Sequence, residues 1–135
     1  PLDFFVLILR LYPASSRNAD KNGNLPLHLV AASWRFSDKF VFDKLISLHP
    51  RGAHTLNKKG ELPLHIALKE GKSWYDGVQY LVHATPRLAL GTRDIESGLL
   101  PFMMAAVGNG DGKLEQWRLD TVFLLLLKGP EFLTW

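Results

Sequence analysis

The sequence predicts an all-α helical solenoid, and three observations carry the prediction. A short motif recurs: Gly23-Asn-Leu-Pro-Leu-His28 returns 37 positions later as Gly60-Glu-Leu-Pro-Leu-His65, and 38 further on as the looser Gly98-Leu-Leu-Pro-Phe-Met103. Recurrence at such a period marks stacked supersecondary units that share one core. A second series, in a different phase, aligns without gaps on Pro13, Pro50, Pro86 and Pro130. Eight residues before each proline stand Phe5, Phe42, Val78 and Val122; five before stand Ile8, Leu45, Leu81 and Leu125; four before stand Leu9, Ile46, Val82 and Leu126. Columns three and four apart form one face of an α-helix. Finally, 135 residues at 47% hydrophobic and 21% charged describe one ordinary domain with a real core.

Each unit reads in order as turn, short helix, connection and apolar second helix. Asp20-Lys-Asn-Gly23 and Asn57-Lys-Lys-Gly60 are turn sequences, with Asp94 ahead of Gly98 in the third copy. There glycine supplies the positive φ, and the Asx side chain bonds the backbone just ahead. Pro26, Pro63 and Pro101 suit the first helical position, where the missing N–H costs nothing. Short helices are therefore expected over about Pro26 to Ser33, Pro63 to Glu70 and Pro101 to Val107. The second helices should stop at the prolines of the other series, because the residue before a proline is pushed out of the α region.

The motif Asp-x-x-Gly-x-Leu-Pro-Leu-His, followed by alanine-containing residues and an apolar helix, resembles the ankyrin repeat. The likeness runs along essentially the whole chain: the second helix of a truncated repeat (1–16), repeats over 17–53 and 54–90, and a degenerate repeat over 91–135. It implies an ankyrin-type solenoid of about three repeats plus a leading second helix, with short β-hairpin-like fingers, a concave face of first helices and a convex back. It also implies structural roles for Gly23, Pro26, His28, Gly60, Pro63, His65, Gly98 and Pro101, each imidazole bonding the turn region of a neighbouring unit. Three features depart from the family. Leu25, Leu62 or Leu100 stands where a helix-capping Thr is usual, forgoing about 1 kcal/mol that apolar burial is expected to offset. The units are long, with most of the excess between their two helices, and Met103 replaces the histidine in the third. The apolar Leu2 to Leu11 helix lacks a polar cap, so the chain reads as part of a longer array or as covered there by self-association.

Catalytic and ligand chemistry finds little support. Gly71-Lys-Ser73 resembles the end of a phosphate-binding loop, but Ile66 stands where that motif needs glycine, so Gly71 reads as a helix-ending residue. Gly108-Asn-Gly-Asp-Gly112 fails as a calcium loop, because Val107 and Arg118 fall where carboxylates belong. His49, His54 and His83 follow no ligand spacing. No nucleophile elbow and no paired carboxylates occur, so the expectation is no enzyme, no metal and no cofactor. The absence of cysteine excludes disulfides and cysteine-based zinc sites. Sixteen Lys and Arg against thirteen Asp and Glu leave only +3, and the lysines alternate with acids, which argues against direct nucleic-acid binding. No apolar run approaches the length of a membrane span.

By the resemblance, the expected function is a scaffold or adaptor that binds another protein or peptide without a small-molecule substrate. The alternative is a targeting or regulatory region of a larger enzyme whose catalytic domain lies elsewhere. The family's recognition positions fall at the finger tips on Lys21, Asn22, Asn24, Lys58, Lys59, Glu61, Glu96 and Leu99, and on the concave face on Ala32, Ser33, Lys69, Glu70 and Val107. Lys21, Lys58 and Lys59 make the first two fingers basic, so an acidic or phosphorylated peptide is the expected partner. Tryptophans recur in the connections, at Trp34, Trp74 and Trp117. They either extend the core along the edge opposite the fingers or serve as binding hot spots. Absent cysteines and glycosylation acceptors, with the family's habit, point to an intracellular setting.

Overall fold

The structure, a computed structural model, describes residues 11, 13–34, 38–84, 86–108 and 115–130. Its helices in chain order are α1 (Pro26–Ala32), α2 (Lys39–Leu48), α3 (Pro63–Lys69), α4 (Val78–Ala84), α5 (Pro86–Gly91), α6 (Pro101–Val107) and α7 (Gln116–Lys128). Short 3-10 turns cover Pro13–Arg17, Pro50–His54 and Trp74–Asp76. Each motif proline stands at the start of its helix, preceded by an extended leucine: Leu25, Leu62 and Leu100 all have φ near −77° and ψ near 160°. No side chain of these leucines caps a helix. All three are instead at most 4% exposed, so apolar burial takes the place of the hydroxyl cap.

The motif helices pack side by side, α1 on α3 and α3 on α6. Behind them α2 packs on α1, α4 on α3, and α7 on α6. The apolar columns supply this core: Phe42, Leu45, Val78, Leu81, Val82 and Leu125 are buried with Leu27, Leu64 and Leu68 of the motif helices. Phe5, Ile8 and Leu9, with the rest of the expected leading helix up to Arg10, lie outside the described residues.

The expected ankyrin-type solenoid with short β-hairpin-like fingers needs correction. Among the described residues there is no strand; the architecture is all-α. The turns explain why. A side chain closes each of the first two from inside: Asp20 Oδ1 accepts from the N–H of Asn22 and Asn24, and Asn57 Oδ1 from those of Lys59 and Glu61, all at 2.9–3.0 Å. Glycine at positive φ then reverses the chain within a few residues. Across each of these loops one backbone bond spans the base, Asp20 N–H to Asn24 O and Asn57 N–H to Glu61 O. That leaves no length for a ladder. Neighbouring turns do touch, since Lys58 N–H donates to Asn22 O at 3.0 Å.

The prolines of the second series also do more than stop helices. α2 ends at Leu48, but Pro50 opens the 3-10 turn Pro50–His54 and Pro86 opens α5. The fixed φ that disfavours a helix before proline suits the first position of the next one. Among the described residues no helix is long and apolar enough to cross a membrane.

Candidate functional site

His28 and His65 tie each motif helix to the next turn. His28 Nδ1 accepts the N–H of Leu25 at 3.1 Å, which leaves its proton on Nε2 to donate to Glu61 O at 3.2 Å. His65 repeats the pattern, accepting from Leu62 N–H at 3.0 Å and donating to Thr92 O at 2.9 Å. Both rings are fully buried, and burial holds each below the usual histidine pKa. In the third unit Met103 stands half-buried at this position, and no side chain caps Leu100.

Between α1, α3 and the first two turns lies a groove of about 440 Å³. Seven of the residues nominated from sequence line it: Asn22, Asn24, Ala32, Lys59, Glu61, Lys69 and Glu70. The sequence reading missed Leu29, Asn57 and Ile66, which complete the walls with His28. Leu29 and Ile66 follow the two histidines directly, so their matching places in the repeat were the available signal. Two lysines against two glutamates leave the lining without net charge.

Lys69 organises the groove's far wall. Its ammonium lies 2.8 Å from Glu61, 3.1 Å from Asp94 and 3.3 Å from Glu96. Desolvation opposes its charge, yet the hydrogen bonds it donates to Glu61 and Asp94 outweigh that and raise its pKa well above the ordinary lysine value. Burial alone would raise the carboxyls of Glu61 and Asp94. For Glu61 the hydrogen bonds of Lys69 and Asn57 prevail, and for Asp94 those of Ser97 and Lys69, so both sit below the usual range. Glu61, nominated as a finger-tip residue, is 8% exposed and spends its oxygens on Asn57 and Lys69. It shapes the groove rather than projecting from it.

The other nominated residues are distributed around this groove. Lys21, Lys58 and Lys59 are exposed on the first two turns. Leu99 and Val107 line a smaller cleft of about 80 Å³ beside Lys69 and Met104. Glu96 is exposed and pairs with Lys69 at 3.3 Å. Ser33, half-buried, offers its carbonyl to Lys72.

That lysine is the largest surprise for the sequence reading. Lys72 is 1% exposed, and its ammonium donates to Val30 O at 3.2 Å as well as to Ser33 O. It thereby reaches from the second unit to carbonyls at the C-terminal end of α1, adding a second donor to Val30 O, and lies 5.5 Å from the centre of the Trp34 ring. Burial pushes its pKa down to about 8, against the opposing fields of Asp76 and Glu70. Gly71 ahead of it has φ 83°, the conformation of a helix-ending glycine. The tryptophans divide. Trp74 is buried, its backbone N–H donates to Thr121 Oγ1 at 2.9 Å, and its ring meets His83 edge-on; Trp34 is 55% exposed, and Trp117 is half-buried beside Arg118.

Among the described residues no group of three or more His, Cys, Asp or Glu side chains could hold a metal ion. No protein-family model matches this chain, and no curated protein matches it.

Proposed function

We propose that this chain is a protein-interaction module, a scaffold or adaptor without catalysis of its own, that binds an extended segment of a partner along the α1–α3 groove and the adjoining turn tips. One observation carries the reading: seven of the residues nominated through the resemblance to ankyrin repeats line a single open groove. Its floor is apolar through Leu29, Ala32 and Ile66, and its rim offers the amides of Asn22 and Asn24. Apolar contact with flanking donors and acceptors suits a peptide backbone. The likeness of the turn-and-helix motif to ankyrin repeats supports the same class of function, and an intracellular setting with it.

The partner segment is acidic or phosphorylated. Lys69 is neutralised by its three carboxylates, so charge selection falls to the exposed Lys21, Lys58 and Lys59 at the groove's turn end. A quantitative pull-down from lysate tests this, wild type against a variant with all three lysines changed to glutamate. Proteins lost selectively from the variant, with binding that weakens as salt rises, support the reading. Identical recovery at low and high salt removes the charge selection. Unchanged recovery with Leu29→Asp and Ile66→Asp as well removes the groove.

A further inference from the structure

The α1–α3 groove is neutral as a whole, but its charges are not evenly spread. Two of its four charged side chains cancel on the spot: Lys69 lies 2.8 Å from Glu61, which is buried and also bonded to Asn57. That leaves Lys59 and Glu70, both exposed, and among the described residues no ion pair holds either. They stand at opposite ends. Lys59 belongs to the turn four residues ahead of Pro63, and Glu70 closes α3 seven residues beyond it. The turn end is also an end of donors. Asn24 gives its side-chain oxygen to Asn57 Nδ2 at 2.8 Å, which leaves its own N–H2 for a ligand. Asn22 O is taken by Lys58 N–H, and Asp20 turns Oδ1 inward to the N–H groups of Asn22 and Asn24. At the other end the cation nearest Glu70 in sequence is Lys72, which is 1% exposed and spent on the carbonyls of Val30 and Ser33. Exposed Leu29 and half-buried Ile66 lie between the two ends.

We propose that the partner segment is bipolar: an anionic residue against the turn end, an apolar side chain on Leu29 and Ile66, and a lysine or arginine against Glu70. The proposal rests on the groove being a peptide site and adds to it the order of the ligand's charges. Pro63 to Glu70 covers about 10 Å at 1.5 Å per residue, roughly three residues of extended chain, and the turn adds one or two more. Anion and cation therefore stand about four or five residues apart. Ile66 lies about 6 Å short of Glu70, which sets the apolar residue about two places from the cation. A segment that is acidic throughout meets repulsion at Glu70, so the same groove that attracts one acidic residue rejects a second at the far end.

Fluorescence anisotropy on the 135-residue chain tests the order with two labelled peptides, phosphoserine-X-X-Leu-X-Arg and phosphoserine-X-X-Leu-X-Glu, with alanine and serine at X. The arginine peptide should bind about fivefold tighter, an exposed attraction standing in place of a repulsion. Glu70→Lys should invert that preference, and because Glu70 is exposed the variant should keep the wild-type circular dichroism and melting profile. Leu29→Asp, also at an exposed position, should weaken both peptides alike. If Leu29→Asp weakens binding but the two peptides bind equally, or Glu70→Lys fails to invert their preference, the charge order is overturned and the groove stands. If neither peptide binds, or binding ignores Leu29→Asp, the groove is overturned and the charge order with it.

Discussion

The first two turn-and-helix units and the third solve the same problem with different chemistry. In the first two, a buried histidine satisfies the orphan N–H at the helix start and reaches forward to a carbonyl of the following turn. The third has Met103 there and a turn one residue longer, from Asp94 to Gly98 rather than Asp20 to Gly23. Asp94 holds that turn through the Ser97 hydroxyl and N–H at 2.8 and 3.0 Å, and Arg93 donates to Gly98 O at 2.9 Å. The first two units are thus braced between repeats, and the third is braced within its own turn. Lys69 adds a brace from outside that turn, reaching across from α3 to Asp94 at 3.1 Å.

The largest expected effect is loss of a histidine brace. His65→Ala leaves the Leu62 N–H and the Thr92 carbonyl buried without their partner and opens a cavity, costing about 3 kcal/mol in urea denaturation. Met103→Ala, at the matching half-buried site, should cost only about 1 kcal/mol. Equal costs would abolish the distinction between the units.

Lys69→Met comes next. It strands the carboxylates of Glu61 and Asp94 in the second and third turns, and about 2–3 kcal/mol should be lost near neutral pH. Adding Asp94→Asn should recover part of that loss, because it removes one stranded charge.

Glycine replacements sharpen the comparison further. Gly23→Ala places a Cβ 2.9 Å from the backbone nitrogen of Lys58, at φ 77°, so both turns must shift. Gly98→Ala meets nothing within 4 Å at φ 73°. The first should cost about 2 kcal/mol and the second about 1, the strain of the positive φ alone.

Acid separates the units in another way. His28 and His65 have folded pKa values below the ordinary 6.5, so the unfolded chain takes up protons first as pH falls. Their contribution is whole above about pH 6.5 and is lost below it, at up to about 1.4 kcal/mol per pH unit for each ring. His28→Gln with His65→Gln should flatten stability between pH 6.5 and 5. The carboxylate limb from Glu61 and Asp94, whose pKa values are also depressed, should persist below about 4.5. The smallest effect is the converse exchange: Met103→His supplies an acceptor for Leu100 N–H and should change stability by less than about 1 kcal/mol.

Local chemistry made much of this legible. The repeated prolines located the starts of α1, α3 and α6, because a missing N–H and a fixed φ act within a single turn of helix. Spacings of three and four located the buried faces of α2 and α4 for the same reason, and in α7 they located Leu125 but not the buried Arg118 and Thr121 beside it. Gly71 was recognisable as a helix end from its place after a helical pattern. The resemblance did mislead where it supplied hairpin fingers: Asp20 and Asn57 close their loops with one side chain, and nothing in the motif requires a ladder. The bounds of α5 escaped too, since a proline that ends one helix carries no mark that it also begins another.

The division follows the range of the forces. Turn closure, helix starts and apolar faces are settled among residues a few positions apart, so the sequence by itself determined them. Lys72 buries its ammonium under carbonyls 42 and 39 residues away, and Lys69 collects acids from two different turns. Which charges are spent inside, which remain free at the turn tips, and that Leu29 and Ile66 share one groove were decided by the tertiary structure. Desolvation and ion pairing depend on distances in space, and packing the units together is what sets those distances.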